Sequence, residues 1–356
     1  MAKLRALLVG ATGIAGQQFV SALRDHPWFE IGAIAASPRN AGKRYDEAVA
    51  GAWFLSEPIP AEVAALRLLD PGAAPRGVDL VFSAVESDVA RELEPRCAAE
   101  LPVISAASTF RMEPDVPLLI PPVNAGHLGL VAAQRARGWR GSVLPIPNCT
   151  TTGLAVVLAP LAERFGVRSV MMTSLQAVSG AGRSPGVAAL DILDNVIPYI
   201  PKEEGKVEAE TRKILGQWAP GASAVAPMPL KISATCTRVA VQDGHTEVVS
   251  VGLGRPVSPE EVKDVLRSWE GHPDARDLPS SAPRWIEVVD GPARPQPRLD
   301  RDTHGGMATT VGRIREDAVL ENGVKLVLVS HNTKMGAAKG AVLVAELMRA
   351  RGFLGR

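Results

Sequence analysis

Cysteine is rare in this chain: three residues in 356, at Cys97, Cys149 and Cys236. An odd, widely spaced set cannot form a disulfide framework, and without a CxxC pair it offers no thiolate metal site. A cysteine that matters here matters singly. Net charge is equally scant, 39 Lys and Arg against 38 Asp and Glu leaving +1, so no large field draws the chain onto nucleic acid or anionic lipid. Nowhere do about 18 apolar residues run uninterrupted, the richest stretch, Gly153 to Ala162, being broken by Pro160. Behind Met1-Ala2-Lys3 stands only the short run Leu4 to Val9, interrupted by Arg5, with nothing resembling a secretion signal. The histidines show no HExxH or other metal spacing. The expectation is a cytoplasmic protein with no metal and with neither nucleic acid nor membrane as partner.

What is present is material for sizeable cores, 46% apolar and 22% charged residues, and at ~150 residues per domain the length points to two domains. The opening alternates an apolar strand run (Leu4 to Val9), a Gly-rich turn, a helical pattern (Ile14 to Leu23) and a second strand run (Ile31 to Ala36), which is a βαβ unit. A strand at Leu80 to Val85, a helix at Asp88 to Glu100 and a strand at Pro102 to Ser105 extend it into an open, mostly parallel sheet. Proline punctuation ending at Pro147 marks the domain change. Beyond it the pattern predicts strands at Val170 to Val178, Arg238 to Val241, Thr246 to Gly252 and Lys325 to Ser330. Helices are predicted from Ser258, capped with Glu261, to Trp269 and from Gly340 to Arg349, the latter able to pack back on the first domain. Gly271 to Gly306 reads as an irregular excursion.

Gly10-Ala11-Thr12-Gly13-Ile14-Ala15-Gly16 lies between strand and helix, where small residues admit a pyrophosphate and the helix N-terminus favours its charge. Gly10, Thr12, Gly13, Ile14 and Gly16 are therefore candidate cofactor contacts. No acidic residue closes the second strand; Ser37, Arg39 and Lys43 stand there instead, which favours NADP over NAD, the alternative being that both cations are solvated loop residues. Cys149 stands where a loop enters a helix, a position whose dipole and free N–H groups lower a thiol pKa, although position alone fits a small buried hydrophobe as well.

The run Pro147-Asn148-Cys149-Thr150-Thr151, with Gln176 to Gly182 (QAVSGAG) and Asp243-Gly244-His245-Thr246-Glu247, resembles the aspartate-semialdehyde dehydrogenases, nearest their archaeal and fungal branch. The glycine loop, Arg238, Pro295-Gln296-Pro297-Arg298 and His331-Asn332-Thr333 extend the likeness over nearly the whole chain. The resemblance implies an α/β fold: a Rossmann-type NADP-binding domain (1–147 and 335–356) and an α+β catalytic and dimerisation domain (148–334). It implies a cytoplasmic homodimer or homotetramer acting in lysine, threonine and methionine biosynthesis, with inorganic phosphate as co-substrate. Cys149 becomes the nucleophile that carries a thioester, which the chemistry requires because only a tetrahedral adduct releases hydride readily. His245 becomes the acid/base, with a ring that titrates in a useful range. By the same likeness Arg238 forks the substrate carboxylate, Glu203 takes the amine, and Lys206 with Arg111 holds phosphate. Gln176 orients the substrate, Asn148 and the Cys149 N–H stabilise an oxyanion, and Ser179, Gly180 and Asn332 reach the cofactor. Composition alone would leave Glu203, Glu204 and Lys206 a solvated surface cluster.

The family pattern is broken in four places. Ser105-Ala106-Ala107 stands for Ser-Asn-Ala, Glu86 for a proline, Arg183-Ser184-Pro185 alters the loop after Gly182, and Met335 stands for an arginine. These leave a CoA-thioester reductase of the malonyl-CoA type as the nearest rival, an acyl-phosphate reductase of arginine synthesis as a weaker one, and an NADP-binding redox sensor as the non-enzymatic one. Glu203 favours a substrate bearing an amine.

Overall fold

The computed structural model describes residues 2–72, 77–181 and 189–355, the side chains of 189 and 190 excepted. Gly182 and the altered loop Arg183-Ser184-Pro185 lie outside the described residues. The first half is built on β1 (Leu4–Val9), β2 (Phe29–Ala35), β3 (Leu68–Leu69), β4 (Leu80–Ser83), β5 (Pro102–Ser105) and β6 (Ser142–Pro145). Their order is β3-β2-β1-β4-β5-β6 and every neighbouring pair is parallel. This is the doubly wound Rossmann arrangement. It is joined by α1 (Ile14–Ala22), α4 (Ser87–Ala98) and the short α2 (Tyr45–Ala48), α3 (Ala61–Ala64) and α5 (Pro121–Asn124). Central strands buried on both faces explain the unbroken apolar runs; β4 is buried at every residue. The strand order reverses between β1 and β4, which opens a crevice at their C-terminal ends. Gly10 sits there at φ +79°, and a Cβ on it would lie 2.4 Å from the Ala84 carbonyl oxygen. A Cβ on Gly16 would lie 2.3 Å from the Gly10 oxygen, so only glycine lets α1 approach β1 this closely.

The second half is a mixed sheet, order β10-β11-β12-β9-β7-β8, made of β7 (Val167–Gln176), β8 (Lys231–Arg238), β9 (His245–Leu253), β10 (Ile286–Val288), β11 (Thr309–Asp317) and β12 (Gly323–Ser330). Helices α6 (Cys149–Phe165), α8 (Glu203–Ile214) and α9 (Pro259–Ser268) pack together with it, beside the short α7 (Ala189–Ile192) and α10 (Pro297–Asp300). α6 runs through Pro160 and is buried at every residue from Thr150 to Leu161. Ser258 caps α9 as expected: its Oγ accepts from the Glu261 N–H, and the Glu261 carboxylate accepts from the Ser258 N–H at 2.9 Å. β8 is an edge strand whose Ala234 and Cys236 N–H groups are taken by the Glu208 and Glu204 carboxylates of α8, each at 3.1 Å. Glu204 is thereby a structural partner. The terminal helix α11 (Ala338–Ala350) packs on α1. Its buried Glu346 accepts from His26 Nε2 at 2.7 Å and Ser280 Oγ at 2.6 Å.

Several strands differ from the sequence reading: the short β3, β6 and β10 had no expected counterpart, and two longer strands differ as well. The strand expected at Arg238–Val241 ends at Arg238, so Cys236 lies within β8 rather than beside it. The inward residues Ile232, Ala234 and Cys236 alternate with lysine, serine and threonine, too little apolar contrast to stand out. β11 was hidden by its polar sequence TTVGRIRED and by a register shift between Gly312 and Arg315. The stretch from Gly271 to Gly306 is irregular apart from β10, α10 and two 3-10 turns.

Glu94 of α4 is buried beneath β4 and β5, where the Ser83 and Ser105 hydroxyls donate to one of its oxygens at 2.8 and 2.5 Å. Burial nevertheless pushes its carboxyl up to about 7. The folded state therefore holds this proton more tightly than the unfolded chain does, and the cost of ionising it is absent below the unfolded pKa and complete above the folded one, on the order of 3 kcal/mol. Glu94→Gln is expected to raise the melting temperature at about pH 8 and to gain little at about pH 5. Equal shifts at both would count against a buried, titrating carboxyl.

Candidate active site

α6 begins at the crevice because Asn148 caps it. The Asn148 Oδ1 accepts from the Thr150 and Thr151 N–H groups at 2.9 and 3.3 Å, and its Nδ2 donates to Glu203 Oε1 at 2.7 Å. Cys149 follows as the first helical residue, half-buried, at the floor of a cleft of about 1130 Å³. This cleft runs from the glycine loop at Thr12 to Ala15, past Cys149, to Glu203, Lys206 and Arg238. His245 opens β9 and is fully buried. Its Nε2 lies 3.1 Å from Cys149 Sγ, and its Nδ1 accepts from the Ala177 N–H at 3.1 Å. Because that amide can only donate, the neutral ring carries its proton on Nε2, facing the sulfur. Burial lowers His245 to about 3, with the positive charge of Arg238 adding to the effect, so the ring is neutral at physiological pH.

The helix-mouth argument for a low thiol pKa is overturned. Burial, with the Glu203 carboxylate adding to it, pushes Cys149 up to about 12, against the pull of Arg111, Arg238 and the Thr150 N–H. Burial wins because the sulfur is enclosed on its helix side even though it faces the cleft.

The other expected site residues fall into three groups. Arg238, buried at the end of β8, donates from Nη1 to the Ala177 carbonyl at 2.8 Å. Glu203 is buried, not solvated, and Lys206 Nζ stands 3.7 Å from its other oxygen. Arg111, also buried, donates to Glu210 Oε1 at 2.9 Å and the Ala106 carbonyl at 3.1 Å. All four line the cleft. A second group joins the cofactor side: Asn332 Nδ2 donates to Ser179 Oγ at 2.8 Å, while Asn332 Oδ1 accepts from the Gly244 N–H at 2.8 Å. A Cβ on Gly180 would lie 3.1 Å from Arg238 Nη1 and 3.3 Å from the His245 ring. The third group stands apart. Ser37, Arg39 and Lys43 are exposed beyond β2, Lys43 donating to Asn40, and Gln176 is buried with its amide on Ser174 Oγ at 3.2 Å; none of these lines the cleft. Met335, where the family has arginine, is buried in the core.

Sequence reasoning missed Glu210 and Lys213. They continue from Glu203 and Lys206 at i+7 and i+10, one face of α8, and a charged stripe at helical spacing on a half-buried helix was the available signal.

Residues 5–131 match the family model described as semialdehyde dehydrogenase, NAD binding domain, and residues 158–335 the one described as semialdehyde dehydrogenase, dimerisation domain. An aspartate-semialdehyde dehydrogenase of Archaeoglobus fulgidus is 47% identical, the alignment covering 96% of each chain. The chain belongs to the aspartate-semialdehyde dehydrogenase family. The Candida albicans aspartate-semialdehyde dehydrogenase is 42% identical over 99% of this chain and 100% of its own. A crystal structure of that Candida albicans enzyme with NADP superposes with a TM-score of 0.89 at 40% identity, covering 98% of this chain and 99% of that one. An aspartate-semialdehyde dehydrogenase of Vibrio cholerae, complexed with ASA, gives 0.77 at 26% identity over 99% and 100% of the two chains. Among the described residues no helix is long and apolar enough to cross a membrane.

Proposed function

We propose that the chain is an NADP-dependent phosphorylating aldehyde dehydrogenase, interconverting L-aspartate-β-semialdehyde and phosphate with L-4-aspartyl phosphate. The reading rests on one observation above all: a cysteine sulfur 3.1 Å from an imidazole Nε2 in a cleft that also holds Arg111, Arg238 and Glu203. Family membership and the NADP-bound Candida albicans relative support it. The cofactor's fit is supported by the crevice at Gly10, where a Cβ would strike Ala84, and by the absence of any acidic residue between Ala35 and Arg44. Thr12, Gly13, Ile14 and Gly16 would cradle its pyrophosphate, Ser37, Arg39 and Lys43 its 2′-phosphate, and Ser179, Gly180 and Asn332 its nicotinamide end. Bound NADP supplies the hydride acceptor.

The protein's part in oxidation is as follows. The substrate ammonium pairs with Glu203 and cancels a charge that raises the Cys149 thiol, so an occupied site eases loss of the S–H proton to water in the cleft and leaves the thiolate. Cys149 Sγ bonds to the aldehyde carbon and the carbonyl electron pair moves onto oxygen. His245 Nε2–H donates a hydrogen bond to that oxygen as charge builds, and keeps its proton as the carbonyl re-forms and the C–H pair departs as hydride. Asn148 and the Cys149 N–H add to the stabilisation of the oxygen. In the resulting thioester, a phosphate oxygen held by Arg111 and Lys206 bonds to the carbonyl carbon, the C–S bond breaks, and the thiolate is restored. Arg238 holds the α-carboxylate throughout, and Gln176 acts through Ser174 behind the site.

The division into 1–147 with 335–356 and 148–334 puts the glycine loop on one unit and Cys149 on the other. A homodimer or homotetramer is supported by the dimerisation-domain match and by the sheet face carrying Met171 and Val248, both exposed; the cytoplasm is the compartment proposed for it. The deciding assay supplies L-aspartate-β-semialdehyde, NADP and phosphate to the purified chain, with an acyl-CoA in parallel. Activity with the CoA thioester alone would transfer the reading to the malonyl-CoA type. In the same assay His245→Gln is expected to lower kcat by roughly 10²- to 10⁴-fold with a small change in KM; an unchanged kcat removes the imidazole from the chemistry.

A further inference from the structure

Glu210 lies on α8, one turn beyond the residues assigned to substrate, and is 1% exposed. Its two oxygens are committed to different partners: Oε1 accepts from Arg111 Nη1 at 2.9 Å, and Oε2 accepts from the Asn148 backbone N–H at 2.7 Å. One carboxylate thus joins an arginine from the segment after β5 to the residue immediately before the nucleophile. Three positions further along α8, Lys213 Nζ donates to the Arg111 carbonyl at 2.8 Å and the Glu113 carbonyl at 2.7 Å. Arg111 is gripped from α8 at both its side chain and its backbone. The guanidinium still has donors to spare: Nη2 takes the Ala106 carbonyl at 3.1 Å, while the buried Nε has no partner among the described residues. Burying a charged pair with a donor left over is costly, and a replacement of the same shape could avoid that cost. The arrangement makes sense if the spare donors await an anion.

We propose that Glu210 is a positioning residue for the phosphate half of the reaction, fixing the plane of the Arg111 guanidinium relative to Asn148 and Cys149. It rests on the reading of Arg111 as a phosphate ligand. Glu210 touches no reacting atom; it acts through Arg111. Glutamine at this position keeps an oxygen for the Asn148 N–H but turns an N–H₂ toward Nη1, donor against donor, which displaces the guanidinium. Hydride transfer and thioester formation need no phosphate and feel the displacement only through the pull of Arg111 on the Cys149 thiol, so they should fall far less.

The test uses the full-length enzyme with L-aspartate-β-semialdehyde, NADP and inorganic phosphate, and reads two quantities. One is single-turnover NADPH formation without phosphate; the other is kcat/KM for phosphate. Glu210→Gln is expected to lower the second about tenfold and the first much less than that. In an Arg111→Gln background it should cause no further loss, because the route through Arg111 is already cut. Equal falls in both quantities, or additive losses in the double variant, would overturn the proposal and leave Glu210 as a structural ion-pair partner. If Arg111→Gln alone leaves kcat/KM for phosphate intact, the phosphate reading of Arg111 fails and takes the route through Glu210 with it. Should Glu210→Gln not fold, Lys213→Met releases Arg111 from its backbone end. The same selective loss then supports the proposal, and a uniform loss overturns it.

Discussion

Cys149→Ala is expected to bring turnover of L-aspartate-β-semialdehyde to background, a loss on the order of 10⁴-fold or more, because among the described residues no other thiol lines the cleft to carry a thioester. The remaining thiols are badly placed: Cys97 is in α4, Cys236 is buried within β8, and neither lines the cleft. Alanine is the right replacement because a Cβ on Gly336 would lie 2.9 Å from Cys149 Cβ, so the backbone around this side chain is closely packed and a larger residue would confuse loss of chemistry with loss of fit. NADP affinity, followed by titration calorimetry, should be unchanged, since the glycine loop belongs to the other sheet. Residual activity above about 1% of wild type would show that the reaction does not run through this sulfur.

Arg238→Ala carries the second large effect. The guanidinium is buried at the end of β8 with one Nη1–H spent on the Ala177 carbonyl, and it faces the same space as Cys149 and Glu203. Removing the partner of a buried carboxylate costs about 3 kcal/mol, or roughly a hundredfold in KM for the semialdehyde. Since the same cation helps hold down the Cys149 thiol pKa, kcat falls as well. Lysine should not rescue, because a single ammonium cannot reproduce the fork. Unchanged KM in steady-state kinetics would move the carboxylate elsewhere.

Much of the first sheet was legible because its signals are local: continuous apolar strands, a glycine loop between strand and helix, a proline-marked break before Cys149. Among the strands missed or misplaced, β8 alternates lysine, serine and threonine with small inward residues and β11 buries two threonines beside a register shift, so little apolar contrast marks them. The site was legible to different depths. Cys149 and His245 stand in motifs that resemblance carries. Glu203 looked solvated by composition and proved buried, because the helix that bears it is pressed against the first sheet's loops by Arg111 and Asn148. The thiol pKa went the opposite way to the helix-mouth argument. A sequence reveals the dipole at a helix end but not how tightly the end is enclosed, and here enclosure is the larger effect.

The helix that presents the sulfur has no slack. A Cβ on Gly153 would sit 2.7 Å from Ser330 Cβ, and its neighbours from Thr150 to Leu161 are all sealed in. The nucleophile is riveted rather than hinged, so it cannot retreat to admit a bulkier acyl chain. Any broadening of scope by mutation has to come from other residues lining the cleft, among them the small Ala106 and Ala107.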